Sequence, residues 1–162
     1  MRMLCCIHGQ HLHEAIRIGE SLVDASKNAF GDNHPDVIMR GGNLAGYLND
    51  ASKHQEAEKV LREVCAAAEE VFGDQDLKLA GYLSKLGWTL RYQENFADSF
   101  PIFKRAEEIY QEQLGSDDLQ TKEARRDWLV SYKQAGEPIT PEEEKEFWKL
   151  HKELDEAKEG SD

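Results

Sequence analysis

The residues best suited to chemistry lie in the first thirteen positions, where two cysteines and three histidines are clustered. Thiolate and imidazole groups are the ligands that zinc prefers in proteins, so this cluster is a candidate metal site. Its spacing matches no closed four-ligand motif, and two adjacent cysteines cannot easily share one tetrahedral ion. We therefore expect no metal; instead, the cysteines would fill the end of a helix and the histidines would flank a turn at Gly9. The clustered residues are Cys5, Cys6, His8, His11 and His13.

The third cysteine, Cys65, is a candidate nucleophile of the kind that works with a nearby histidine. It lies between Val64 and Ala66 in an apolar helical stretch, where a free thiol behaves as a small apolar group. A phosphate loop would have to follow a strand, and no segment alternates with the period of a strand. The sequence therefore predicts that the chain is not an enzyme and uses no cofactor.

The composition argues against several other classes of protein. The chain has 162 residues, with 32 acidic and 20 basic side chains and a formal charge of −12. This balance argues against binding to nucleic acids or anionic membranes, because phosphate contacts need clustered lysines and arginines. The apolar run at residues 3–7 is too short for a membrane span or a signal-peptide core. Three cysteines, two of them adjacent, do not make a disulfide framework, so we expect a cytoplasmic protein.

The elements that position these residues come from an internal repeat of 42 residues. Phe-Gly-Asp occurs at residues 30–32 and 72–74, and Gly-Ser-Asp follows at 115–117, which places three glycines at 31, 73 and 115. The same step aligns Leu44 with Leu86 and Trp128. A repeat of this length indicates a solenoid of supersecondary units, none of which can bury its apolar face alone.

Each repeat is predicted to contain two helices, which we call A and B. A glycine ends each B helix, because glycine readily adopts positive φ at a helix C-terminus. Small residues at positions 45, 57, 87 and 99 would let paired helices approach closely. The fold class predicted is all-α, a helical-hairpin solenoid. The A helices are expected at 35–50, 76–93 and 118–134, and the B helices at 12–30, 55–72 and 96–114.

Three segments carry a family resemblance: Gly31 to Val37, with the sequence Gly-Asp-Asn-His-Pro-Asp-Val; Asn43-Leu44-Ala45; and Glu-Ala-Glu-Lys-Val-Leu at 56–61. Together they resemble the tetratricopeptide repeat (TPR) of the kinesin light chain type, and Pro101 lies at that family's proline. The resemblance covers residues 12–136 and weakens in the fourth repeat, where Asp-Leu-Gln at 118–120 replaces His-Pro-Asp. It implies a right-handed superhelix whose A helices line a concave, peptide-binding groove.

The resemblance divides the chain into a repeat region and an acidic C-terminal segment. Residues 1–136 would form TPR-like repeats: a truncated first repeat at 1–31, repeats at 32–73 and 74–115, and a partial fourth at 116–136. The early start suggests a fragment, a truncated isoform or an irregular first helix. Thr140, Pro141 and Glu143 predict a helix start with a capping box. Residues 137–162 would then form a capping helix and tail, or a detachable helix that competes with ligand.

The candidate site is the A-helix surface opposite the packed stripe of each A helix. Trp88 would either anchor a ligand there or pack against the neighbouring A helix. The A helices carry a net charge of +2 and the B helices −6, so the concave surface is expected to be neutral to basic. As in kinesin light chain grooves, the resemblance implies an extended peptide with acidic and aromatic residues. The predicted contacts are Asn43, Lys85, Trp88, Arg91, Tyr92 and Arg126.

Two alternatives to this protein-binding scaffold stay open. The chain could be a structural segment of a larger TPR protein, or form a homodimer, through its open N-terminal repeat. A half-repeat leaves Ala15, Ile18 and Leu22 poorly covered, and exposed apolar surface of this kind favours association. The other alternative, a metal-dependent or catalytic domain, predicts bound metal in the purified protein.

Overall fold

A computed structural model describes the backbone of residues 2–159 and the side chains of residues 11–156. Over this range the chain is helical and contains no strand, and each helix packs against the next. The second helix also contacts the fourth, which brings two A helices side by side. This architecture confirms the all-α helical-repeat solenoid. The helices are α1 (Arg2–Phe30), α2 (Pro35–Asp50), α3 (His54–Phe72), α4 (Leu77–Tyr92), α5 (Phe96–Leu114), α6 (Leu119–Gln134) and α7 (Pro141–Glu159).

The A helices begin where polar side chains cap them. The carboxylate of Asp76 accepts a hydrogen bond from the backbone N–H of Lys78 at 2.7 Å, and Asp118 caps Gln120 in the same way at 2.8 Å. At the start of α2, His34 takes this capping role and proline follows it in the first turn. These caps satisfy backbone donors that a helix leaves unpaired. The predicted starts of the A helices agree with the structure to within one residue.

Glycines end the B helices as predicted, but one predicted break is wrong. Gly31, Gly73 and Gly115 follow α1, α3 and α5 with φ values of 85°, 95° and 92°. These angles lie in the left-handed region that other residues rarely adopt. The turn expected at Gly9 does not form, because α1 continues unbroken from Arg2 to Phe30. A glycine inside a helix costs only about 1 kcal/mol relative to alanine, so it does not end a helix by itself.

Small residues set the distance between the paired helices. Ala45 and Ala57 are completely buried where α2 meets α3. In the next pair, a Cβ atom at Gly87 would lie 2.8 Å from the ring of Phe103, which is itself completely buried. The smaller residue on α4 therefore accommodates the larger one on α5.

The last helix, α7, packs against α6. Its predicted capping box forms: Thr140 N–H donates to the Glu143 carboxylate at 2.7 Å, and Glu143 N–H donates to Thr140 Oγ1 at 3.2 Å. Leu150 and Leu154 are buried on its inner side. We propose that α7 is a cap for the end of the solenoid, with the repeat boundaries given above. No helix within residues 2–159 is both long and apolar enough to cross a membrane.

Candidate functional site

An open cleft of about 470 Å³ lies between the A helices α2 and α4, and we call it the first cleft. One of its lining residues is Gly46, where an added Cβ would meet no atom within 4 Å. The absence of a side chain at this position leaves the cleft open. Its lining residues are Gly46, Asn49, Asp50, Ser52, His54, Leu61, Lys85, Trp88 and Tyr92.

Three of the predicted contact residues line the first cleft together. Lys85, Trp88 and Tyr92 follow one another at intervals of three and four residues along α4, which places them on one helix face. Tyr92 is 56% exposed, and its ring stacks on that of His54 with 5.0 Å between centroids. Lys85 is exposed and forms no salt bridge with a described residue. An aromatic surface beside an unpaired cation is therefore open to solvent.

Trp88 packs against a B helix and also lines the first cleft, whereas the packing predicted for it was against a neighbouring A helix. Its ring packs edge-on against Phe103 of α5 at 5.9 Å between centroids, and the Arg91 guanidinium lies 4.4 Å from its ring centroid. The side chain is half-buried and lines the first cleft. Its packing partner Phe103 thus belongs to a B helix, and the Trp88 side chain lines both the first cleft and the cleft between α4 and α6.

A second cleft, of about 190 Å³, lies between α4 and α6, and two other predicted contacts lie near it without lining it. Beside it, Arg91 and Arg126 meet the buried carboxylate of Asp127 at 3.7 and 2.9 Å. Burial raises the pKa of Asp127, and the two arginines oppose that shift. Desolvation likewise lowers the pKa of Arg91. The two arginines therefore share one internal carboxylate, which offsets one of their two positive charges. The lining residues are Ser84, Trp88, Tyr110, Gln120, Glu123, Ala124 and Asp127.

The repeats match a known family over much of this region. Residues 38–112 match the tetratricopeptide repeat family. They form a TPR domain. Its fold is that of the kinesin light chain type, because 89% of the chain superimposes on the TPR-like repeats assigned to a kinesin light chain from Podosopora anserina, with a TM-score of 0.71. The two sequences are 15% identical, and the match covers 67% of the Podosopora chain. The fold of BtubC from P. vanneervenii gives a TM-score of 0.72 at 20% identity, over 93% of this chain and 56% of that one.

The TPR domain also has relatives in much longer proteins. Over 107 residues, which are 66% of its length, this chain is 31% identical to clustered mitochondria protein homologs from Emericella nidulans and Aspergillus clavatus. The homolog from Aspergillus terreus is 30% identical over the same length. The chain spans only 9% of the Emericella protein and 8% of the two Aspergillus proteins. The match therefore concerns one short segment of each relative.

Not all of the predicted contact residues line a cleft. Asn43 is exposed on α2 but lines neither cleft, and Arg126 contacts Asp127 without lining either. Sequence reasoning missed His54 and Asn49, which both line the first cleft. His54 is the first residue of α3 and so belongs to a B helix, whereas the contacts predicted from the sequence all lie on A helices. Its place beside the residues of α2 and α4 becomes visible only when the helices are packed together.

The chemical candidates at the start of the chain receive no support from the described residues. The side chains of Cys5, Cys6 and His8 lie outside residues 11–156, and within that range no group of three His, Cys, Asp or Glu residues could hold a metal. Cys65 is 8% exposed, and burial raises the pKa of its thiol to about 12. A catalytic cysteine has a lowered pKa, so Cys65 has the opposite of an activated environment.

Proposed function

We propose that the TPR domain is a protein-interaction module that binds an extended peptide segment with acidic and aromatic residues in the first cleft. The observation that carries this proposal is the exposed face of α4, where Tyr92, Trp88 and Lys85 line one open cleft. Tryptophan and tyrosine are frequent anchors at protein interfaces, because they offer large apolar area and few rotatable bonds. The fold supports the proposal at the level of a protein-binding scaffold.

Charge favours an acidic segment. Lys85 has no carboxylate partner among the described residues, and Arg91 adds a partly exposed guanidinium above Trp88. A ligand carboxylate beside Lys85 would gain the ion pair that the domain itself leaves unmade. Asp50 in the same cleft opposes this attraction, and the cleft is short, so we expect modest affinity.

The proposal is tested by screening an array of ten-residue peptides that carry one Trp or Tyr among Asp and Glu residues. For the tightest binder, Tyr92→Ala and Lys85→Glu should each weaken binding about tenfold, as expected when an interface anchor or a charge contact is lost. The measurement is fluorescence anisotropy, with circular dichroism to show that the helices are intact. The matched control is Lys59→Glu, the same charge change at an exposed position of α3. Equal weakening by the control would contradict the proposal.

The wider role follows from the same module. We infer that it supplies the partner-binding part of a scaffold rather than catalysis, in this chain or in a larger TPR protein. A cytoplasmic location, and the absence of nucleic-acid and membrane partners, stay predictions from charge and composition. Affinity capture from a cell extract by the wild type, compared with Tyr92→Ala, would identify partners that depend on the first cleft.

A second candidate function is association through α1. Ile18 and Leu22 lie one turn apart on this helix and are 46% and 44% exposed. Two neighbouring aliphatic side chains open to water favour a second chain as their cover. If so, light scattering should show a dimer whose fraction grows with concentration, and Ile18→Glu should return it to a monomer. Ser21→Glu, at an exposed polar position of the same helix, is the matched control. A monomer at every concentration would contradict this candidate.

A further inference from the structure

A chain of hydrogen bonds runs beside the first cleft and ends at His54. Thr89 is completely buried, and its Oγ1 lies 2.8 Å from the backbone carbonyl oxygen of Lys85. Asn49 Nδ2 lies 2.8 Å from the same Thr89 oxygen. The amide oxygen of Asn49 in turn lies 3.1 Å from His54 Nδ1. Four residues from α2, α3 and α4 are thus connected in sequence.

The direction of each hydrogen bond follows from the fixed carbonyl at one end. A carbonyl oxygen can only accept, so the Thr89 hydroxyl donates to Lys85 O. The Thr89 oxygen then accepts from Asn49, which must present its amide nitrogen. This orientation leaves the Asn49 oxygen as an acceptor, so His54 Nδ1 must carry the proton that it donates.

This direction fixes the tautomer of His54. With the proton of the neutral ring on Nδ1, Nε2 carries a lone pair. No described residue hydrogen-bonds Nε2, and Nε2 is not among the buried polar atoms that lack a partner. It is therefore open to solvent on a residue that lines the first cleft. A second proton can bind there without rearranging the chain, because the Nδ1–H bond is the same in both states.

We infer that His54 is a carboxylate-binding residue of the first cleft and takes up a proton when an acidic ligand binds. The inference rests on the proposed function and adds the residue that reads the acidic group. Histidine is the side chain whose charge ordinarily changes between pH 5 and 8. An imidazolium at this position donates from Nε2 to a ligand carboxylate, while Nδ1–H stays bonded to Asn49. Tyr92 stacks on the imidazole ring with 5.0 Å between ring centroids and supports its orientation.

The charges around His54 cancel one another, so the protonation of His54 determines the net charge of the first cleft. Lys53 and Glu56 beside His54 form their own ion pair at 3.0 Å and offset one another. Lys85 and Asp50, on the two sides of the first cleft, also cancel in formal charge. The cleft is therefore neutral overall while His54 is neutral, and it gains one positive charge when His54 is protonated. An acidic ligand supplies the opposite charge.

The tautomer is measured first, on the free protein and without any ligand. Nitrogen-15 chemical shifts of the imidazole should show Nδ1 protonated and Nε2 bare at pH 8. Thr89→Val removes the hydroxyl that sets the direction, so this variant should show a mixture of the two tautomers. A His54 ring protonated on Nε2 in the wild type would overturn the inference.

Proton uptake is then measured by titration calorimetry at pH 6.5 in two buffers of different ionisation enthalpy. The probe is the tightest acidic peptide from the screen above, with its Asn/Gln counterpart as the neutral ligand. Binding of the acidic peptide should be accompanied by the uptake of up to one proton from the buffer. The affinity for this peptide should rise about fivefold from pH 7.5 to 5.5. His54→Gln should abolish both effects, whereas His13→Gln, at an exposed position of α1, should leave them intact.

The outcomes separate this inference from the proposed function. Binding of the acidic peptide in the first cleft without proton uptake, or with the same pH dependence in His54→Gln, overturns the inference and leaves the proposed function standing. Failure of every acidic peptide to bind overturns both. Proton uptake that is lost in His54→Gln and absent with the neutral peptide supports the inference.

Discussion

Neighbouring A helices meet in two joints, α2–α4 and α4–α6, which share a backbone arrangement and differ in the side chains between the helices. The 42-residue step places Trp88 of the α4–α6 joint where the α2–α4 joint has Gly46, and Arg91 where it has Asn49. The first joint holds a cleft of about 470 Å³ and the second one of about 190 Å³. On the first A helix of the α2–α4 joint, the small and neutral Gly46 and Asn49 leave room for a ligand. The large Trp88 and the charged Arg91 stand at the same repeat positions in the α4–α6 joint.

One side-chain-to-backbone hydrogen bond recurs in successive repeats. Thr89 donates to the carbonyl four residues before it at 2.8 Å, and Ser131, one repeat later, does the same at 2.9 Å. The free side of each hydroxyl is used differently: Thr89 accepts from Asn49, while Ser131 meets Ser99 at 3.1 Å. The same side-chain-to-backbone hydrogen bond therefore supports a polar chain beside the first cleft in one repeat and an internal contact between α5 and α6 in the next.

If the second joint is mainly structural, its buried carboxylate should carry the largest effect on stability. Asp127→Ala should lower the free energy of unfolding by about 3 kcal/mol, because it leaves two half-buried arginines without their shared partner. Asp50→Ala, at an exposed position in the first joint, should change stability by less than about 0.5 kcal/mol. Urea unfolding followed by circular dichroism gives both values. Equal effects of the two substitutions would contradict the division of roles.

Helix pairs should show a related exchange of volume. Gly87→Ala should destabilise the protein by about 2 kcal/mol, since its new Cβ would lie 2.8 Å from the Phe103 ring. The preceding repeat has Ala45 and Leu61 at the corresponding positions, both buried. The double variant Gly87→Ala/Phe103→Leu should therefore recover part of the loss, measured as a coupling energy in a thermal or urea unfolding cycle. Additive effects would show that the two positions do not compensate.

These contrasts also explain what the sequence can predict. The helix ends depend on local chemistry, such as Asp76 bonding two residues ahead, so they are readable from short motifs. The chain from Lys85 through Asn49 to His54 joins positions up to 40 residues apart, and its existence depends on how α2 and α4 pack. The expected turn at Gly9 was wrong because a glycine is only a weak signal when its neighbours favour a continuing helix.

The first joint can be closed by giving it the residue of the second. Gly46→Trp should fill the first cleft and weaken binding of the acidic peptide at least tenfold, about 1.4 kcal/mol at 25 °C. Stability should change little, because no atom lies within 4 Å of the new Cβ. Fluorescence anisotropy measures the binding and urea unfolding the stability. Asn43→Trp, at an exposed position of α2 that lines neither cleft, is the control. Unchanged binding in Gly46→Trp would place the ligand elsewhere.

The smallest expected effect tests the charge balance of the open joint. Asp50 is exposed in the first cleft and opposes a ligand carboxylate, so Asp50→Asn should tighten binding of the acidic peptide by about twofold to threefold. The neutral Asn/Gln peptide should bind the variant and the wild type equally. Asp24→Asn removes the same charge at an exposed position of α1 and should leave both affinities unchanged. A gain shared by both peptides would mean that Asp50 acts through the shape of the cleft, because a purely electrostatic repulsion requires a charged ligand.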